Sequence, residues 1–234
     1  FCFITGITKF SQLSIFSTIN NLKNISMMTD FATICGITER ELMETFEPDM
    51  AIMAESMGCT AEDVHEKLRM MYDGYHFAKK SEGVYNPFSL LNAFMDKDLG
   101  LYWFTSGTPK FLIYQMQHFR TDITAMEDIE AAASEFDLPT ESMTTALPLL
   151  YQSGYLTIKG YDSDIEAYHL AIPNKEVRVG FTEGLLPTYT GIESGRAKLG
   201  FAAKFWKALR KNDINLALEE MRSYLASLPY VEGF

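Results

Sequence analysis

Apolar positions at helical spacing dominate the chain from Thr38 onward. Thr38-Glu39-Arg40-Glu41 has the form of a capping box, followed by Leu42, Met43 and Phe46 as an apolar stripe. Pro48 to Met57 suits a second helix, closed by Gly58. Thr60-Ala61-Glu62-Asp63 opens a third, with Val64, Leu68 and Met71 on one face and the turn dipeptide Asp73-Gly74 at its end. Asn86-Pro87 starts another through Leu90, Leu91 and Phe94, because proline is tolerated in a first turn where the N–H is unpaired anyway. Further helices are expected over 110–119, over Thr140–Tyr151 with a bend or break at Pro148, and from Asn174 to Leu186.

Between these lie extended segments. Tyr72 to Phe77 and Val84 to Phe88 form an aromatic hairpin or extended loop, and Leu101 to Phe104 a short strand or extended run. Gly154 to Lys159 and Ile165 to Ile172 alternate as two strands joined by Gly160-Tyr161-Asp162-Ser163-Asp164. A helix followed by a hairpin of that size is how a winged helix ends. At the start, Phe1 to Ile7 reads as a buried strand cut at its beginning, and such a strand needs partner strands. The expectation is therefore a piece of something longer.

Charge adds a constraint. Twenty basic against 31 acidic residues give a net charge of −11, the wrong sign for a surface that grips phosphate backbones throughout. The acids cluster: residues 30–66 carry ten against one arginine, and 121–141 carry seven. Each run is either a solvated face or a docking surface for a basic partner. The exception is Arg196 to Lys211, with six basic residues, no acid, and Leu199, Ala202, Phe205, Trp206 and Leu209 as its apolar face. Lys204, Lys207 and Lys211 recur on one side of that helix and are the candidate phosphate or nucleic-acid contacts. Glu219 and Glu220 in the following helix are the candidates to neutralise them.

Chemistry-bearing patterns are sparse. Three cysteines, widely spaced and without a C-x-x-C pair, argue against a disulfide framework and for a reducing compartment. The histidines (His65, His76, His118, His169) show no i, i+4 pair, so no metal site is expected. A G-x-S-x-G elbow, a phosphate loop and a D/E-x-K triplet are all missing. No stretch reaches 18 apolar residues and no basic segment precedes an apolar one at the start, so a cytoplasmic protein without a membrane span is expected.

Five segments in order carry a resemblance: Phe3 to Ser11, Tyr72-Asp73-Gly74-Tyr75-His76-Phe77, Tyr85-Asn86-Pro87-Phe88-Ser89-Leu90-Leu91, Ser106-Gly107-Thr108-Pro109, and Leu150 to Ile158. Together they resemble the bacterial predicted AAA-ATPase, or AAA-ATPase-like, domain family, over nearly all of the chain. The resemblance implies P-loop ATPase relatives that bind ATP and Mg, many continuing into a nuclease-like domain. This chain lacks both Walker motifs, so the missing N-terminal P-loop core and a possible C-terminal nuclease-like domain are the implied partners. No cofactor is expected for the chain alone.

The implied fold class is mainly α with a small β component: a remnant of a P-loop ATPase core (1–25), a helical lid (26–120), a winged-helix-like segment (121–192) and a C-terminal helical pair (193–234). By the same resemblance, Thr5 stands where related ATPases keep a polar sensor of the γ-phosphate. Gly107, Thr108 and Pro109 resemble a lid motif whose proline packs on adenine. The function implied is the lid, sensor and winged-helix part of an ATP-binding switch that does not itself hydrolyse ATP. The residues leave two other readings open: a nucleic-acid-binding winged-helix module, and a protein-interaction module docking through its acidic helices.

Overall fold

The computed structural model describes residues 5, 6, 8, 23–105, 110–121, 124–190, 204, 205, 207, 208, 210, 211 and 213–227. The protein is mainly α, about 55% helix and 11% strand, with its strands in two small sheets. It divides into two compact units, Phe1–Phe181 and Thr182–Phe234.

In the first unit, β1 (Ile37–Thr38) leads into α1 (Glu39–Thr45), α2 (Glu47–Met57) and α3 (Ala61–Tyr72). The helix starts follow from the sequence. Thr38 accepts from the Glu41 N–H at 3.2 Å while Glu41 accepts from the Thr38 N–H at 2.9 Å. Thr60 and Asp63 repeat the arrangement at the head of α3. Gly58 ends α2 in the left-handed region. β2 (Val84–Tyr85) pairs antiparallel with β1, and Tyr75 bridges Val84. α4 (Pro87–Asp96) then begins on the Asn86 cap.

These elements enclose one apolar core: Leu42, Met50, Met53, Val64, Leu68, Met71, Tyr72, Tyr85, Leu90 and Ala93 are all buried. Phe46 and Phe94 stack at its edge with ring centroids 5.4 Å apart. Two expected core positions lie outside it. Met43 and Leu91 are 44% and 45% exposed, because each follows directly on a buried leucine and a helix turns by about 100° per residue.

The expected strand at Leu101–Phe104 is instead a helical turn, α5 (Tyr102–Thr105). Its backbone is held by a buried carboxylate described below, and the Tyr102 ring tilts against Tyr72 at 6.4 Å. α6 (Lys110–His118) lies where a helix is expected; the Thr108 cap and Pro109 lie outside the described residues.

A second core gathers on a three-stranded antiparallel sheet, ordered β3 (Ile129–Ala131), β5 (Ala167–Ala171), β4 (Thr157–Asp162). The expected hairpin supplies β4 and β5, with β4 running on to Asp162. β3 is an addition: 121–141 is more than a solvated face, and it sends Met126, Ala131 and Phe136 inward. α7 (Ala133–Phe136) and α8 (Leu147–Gln152) cover the sheet, with the Phe136 ring edge-on to Tyr151 and Tyr168. The helix expected over Thr140–Tyr151 is instead a 3-10 turn at Thr140–Ser142 and the short α8, which Pro148 opens instead of bending or breaking. α9 (Lys175–Thr190) follows, as the Asn174 cap predicts.

In the second unit, Lys204, Phe205, Lys207, Ala208 and Arg210 are helical, and Asp213 caps α10 (Ile214–Ser227) by accepting from the Leu216 N–H at 3.0 Å. Ala208 and Ala217 are buried. Of the expected strand at 1–7, only Thr5 and Gly6 are described; both are exposed and not in a strand.

Candidate functional site

Three of the five motif segments meet in the first unit, although 81 residues separate His76 from Thr157. The Thr157 hydroxyl accepts from the His76 N–H at 2.7 Å and donates to the His76 carbonyl at 2.9 Å. The Asn86 N–H donates to the Tyr72 carbonyl at 2.9 Å. A bulge in β4 leaves Lys159 without a register partner between Ile158 and Gly160, and bulges redirect side chains. The Lys159 ammonium donates to the carbonyls of Gly74 at 2.8 Å and Pro173 at 2.9 Å. Although much of its stem is exposed, loss of water at the ammonium end lowers its pKa, while nearby Asp73 works in the opposite direction. Gly74 is required here: its φ is +105°, and a Cβ would lie 2.4 Å from the Pro173 carbonyl oxygen.

Behind this seam lies a buried polar junction. Asn86 and Asn174 cap α4 and α9 through their side-chain oxygens, accepting from Phe88 at 3.0 Å and from Val177 at 3.1 Å. The buried Tyr75 hydroxyl lies against both amides without reaching hydrogen-bond geometry with either. Burial pushes its pKa well up. Glu176, in the first turn of α9, is fully buried. Its Oε1 accepts from the Trp103 N–H at 2.8 Å, while its Oε2 has no partner of its own. Desolvation raises the Glu176 pKa, and Ser89, Trp103 and Phe104 oppose that rise. Tyr75 OH, Ser89 Oγ, Asn174 Nδ2 and Glu176 Oε2 are four of the five buried side-chain atoms left unpartnered among the described residues; the fifth is Asp73 Oδ1.

On the outer side, Glu66, Arg69, Met70, Asp73, Gly74, Pro173 and Asn174 line a shallow cleft of about 460 Å³. The cleft is flanked by both signs of charge and shares Asn174 with the junction. Chemically the junction offers a lysine held by two carbonyls with its pKa lowered by desolvation, a carboxyl group shielded from water, and amide donors at two helix starts.

Thr5 is exposed, and Gly107, Thr108 and Pro109 fall outside the described residues. Lys204, Lys207 and Lys211 are all exposed in the second unit, and Lys204 reaches Glu220 at 3.9 Å. No group of three or more metal-ligating side chains assembles among the described residues. Cys35 and Cys59 are free thiols. No described helix is long and apolar enough to cross a membrane.

Sequence reasoning found Asn86 and Asn174 as caps but missed Tyr75, Lys159 and Glu176 as functional candidates. An acid in a first turn is the ordinary pattern for a helix start, so nothing local marks Glu176 as buried.

The chain is 31% identical over 239 residues to an uncharacterised protein encoded in the vnfD 5′ region of Azotobacter chroococcum mcd 1. The match covers 98% of this chain and 42% of that protein, so the chain spans less than half the length of its relative. No protein-family model matches the chain, and no solved structure does.

Proposed function

We propose that the chain is the lid, sensor and winged-helix part of an AAA-ATPase-like switch protein, which binds ATP together with a P-loop core and does not hydrolyse it alone. One observation carries the reading. The segments Tyr72–Phe77, Tyr85–Leu91 and Leu150–Ile158, which bear the resemblance, are bonded to one another around the Tyr75 junction, and not scattered over the surface. The order α8, β4, β5 supports the winged-helix-like portion. In this reading Gly107, Thr108 and Pro109 contact the nucleotide, Thr5 senses it, and the Mg-holding carboxylates and phosphate-cradling lysine belong to the P-loop core.

The test starts with the coding sequence upstream of Phe1, where a P-loop followed by an Asp-Glu strand is expected. The whole encoded product should bind Mg-ATP, and Pro109→Ala should weaken that binding. The 234-residue chain by itself should release no phosphate from ATP. Unchanged nucleotide affinity in Pro109→Ala, or Mg-dependent turnover that stays with the purified chain, defeats the proposal.

A further inference from the structure

We propose that the outer face of α4 is a contact surface for a second copy of this chain, which joins it as an antiparallel helix pair about a twofold axis. From Pro87 to Met95, α4 carries no charged side chain. Ser89, Leu90 and Ala93 are its buried residues, and Leu90 and Ala93 belong to the helical core. Phe88, Leu91 and Met95 are 49%, 45% and 75% exposed. At about 100° per residue these three fall within roughly 60° of helix surface, so they form one stripe. A helix apolar on both faces has the pattern of a buried helix. A continuous exposed stripe marks an interaction surface, where apolar residues scattered singly do not.

Charge selects the occupant. Each copy carries a net charge of −11. Residues 30–66, which include α1, α2 and the first half of α3, hold ten acids against one arginine. Two copies meeting through those helices bring like charges together. The stripe of α4 is an uncharged window in that field, and charges more than about 8 Å behind it are largely screened at physiological salt.

The stripe is also its own complement. Leu91 lies three residues after Phe88 and four before Met95. A twofold axis near Leu91 therefore sets each Phe88 ring against the Met95 of the other copy. Methionine sulfur against an aromatic ring is a favourable contact, and a twofold interface makes it twice. The helix ends match as well. Asp96, exposed in the last turn of α4, sits at the negative end of its own helix dipole. The antiparallel arrangement brings it level with the first turn of the other α4, the positive end. Three side chains and their twofold mates fall short of the roughly 1,200 Å² of a standard interface, so the dimer is weak and reversible.

Sedimentation of the 234-residue chain and of the whole gene product is the first measurement. Over about 5 to 500 µM it should show a monomer–dimer equilibrium with a constant on the order of 10–100 µM, as suits so small an interface. Leu91→Glu and Met95→Glu place like charges at the seam and should each weaken dimerisation at least about tenfold. Both positions are exposed in the monomer, so far-UV spectra should not change, and either variant serves if the other misfolds. Disulfide trapping then reads the geometry, with Cys2, Cys35 and Cys59 replaced by serine. A disulfide needs Cα atoms within about 7 Å, whereas the two copies of position 88 stand about 10 Å apart along the axis of an antiparallel pair. Leu91→Cys should thus link to itself, and Phe88→Cys only when mixed with Met95→Cys. A chain that stays monomeric to about 500 µM overturns the proposal, as do glutamate variants that dimerise like wild type. Self-linking of Phe88→Cys as fast as the mixture overturns the antiparallel pairing. A dimeric chain beside a monomeric, unlinked whole product gives the stripe to another segment of the longer protein, and overturns the proposal too.

Discussion

The helical core of α1 to α4 and the polar junction around Tyr75 are neighbours built on opposite rules. In the core, the starts of α1 and α3 are closed within their own first turns: Thr38 with Glu41, and Thr60 with Asp63. Cohesion between the helices comes mainly from apolar side chains that need no particular partner, with one polar tie, Glu39 of α1 to His65 of α3 and to the Tyr85 hydroxyl. At the junction, the α5 turn is held by a carboxylate from α9, the Gly74 carbonyl by a lysine from β4, and the Tyr75 hydroxyl meets amides from two different helix starts. Tyr75, Ser89, Asn174 and Glu176 are buried as the core side chains are, yet each of them holds a side-chain polar atom without a partner. A region that keeps such atoms is arranged for geometry more than for stability.

The largest effect expected from this contrast is in the core. Leu68 is fully buried among apolar neighbours, so Leu68→Ala should cost about 3 kcal/mol, within a usual range of roughly 2–5, in denaturant unfolding. Leu91, one helix away and 45% exposed, should cost less than about 1 kcal/mol on the same change. If the two losses were equal, the core would not be the close-packed region described.

pH should separate the two regions by sign. Hydrogen bonds from Thr38 and Thr60 lower the pKa values of Glu41 and Asp63. A depressed carboxylate contributes stability above its unfolded value and loses it as pH falls through the folded one. Burial raises the pKa of Glu176 above its ordinary 4.5. Its contribution is therefore complete below that value and declines as pH climbs through the folded pKa. Acid should loosen the starts of α1 and α3 first, whereas rising pH should loosen α5 against α9. Residue-resolved amide exchange from about pH 2 to 8 tests this, a range reaching below the ordinary carboxylate values of about 4 as well as above them. In Glu176→Gln the response at Trp103 should vanish and the acid response at α1 should remain. A Trp103 response that survives in glutamine would assign the titration to another group.

The same difference explains what was legible in the sequence. Capping boxes, the Asn86-Pro87 start and the hairpin depend on residues a few positions apart, so spacing alone located α1, α3, α4, β4 and β5. β3 is only three residues long and sits in an acidic run, and its pairing with β5 is decided by tertiary contacts. Tyr102, Trp103 and Phe104 favour strands and so suggest an extended run at α5; a carboxyl group 73 residues away holds the helical turn instead. Pro148 inside a helical pattern predicts a bend or break, yet it starts a helix, two roles that differ only in where the preceding turn ends. Of the junction, the caps were visible, but the convergence of Tyr75, Lys159 and Glu176 was not. No local pattern distinguishes a first-turn acid in water from one in the interior.

The smallest expected effect is the sharpest test of the contrast, because two tyrosines three residues apart should respond in opposite directions. Tyr72 belongs to the core, and its hydroxyl is fully used: it donates to the Gly100 carbonyl at 3.0 Å and accepts from the Gly100 N–H at 2.9 Å. Removing it in Tyr72→Phe strands both groups of Gly100 and should cost about 1–2 kcal/mol. Tyr75 belongs to the junction and brings a buried hydroxyl without a protein partner. In Tyr75→Phe that atom disappears, while Asn86 and Asn174 keep the cap bonds made by their other side-chain atoms. A polar atom buried without a partner is a standing penalty, so the change should be neutral or should stabilise the fold by up to about 1 kcal/mol. Both variants can be measured by urea unfolding alongside wild type, with equal slopes as the check that the unfolded states are comparable. A loss of more than about 1.5 kcal/mol in Tyr75→Phe would mean that the hydroxyl is bonded in solution as firmly as that of Tyr72. The junction would then be an ordinary satisfied polar core, and its distinction from the helical layer would fall.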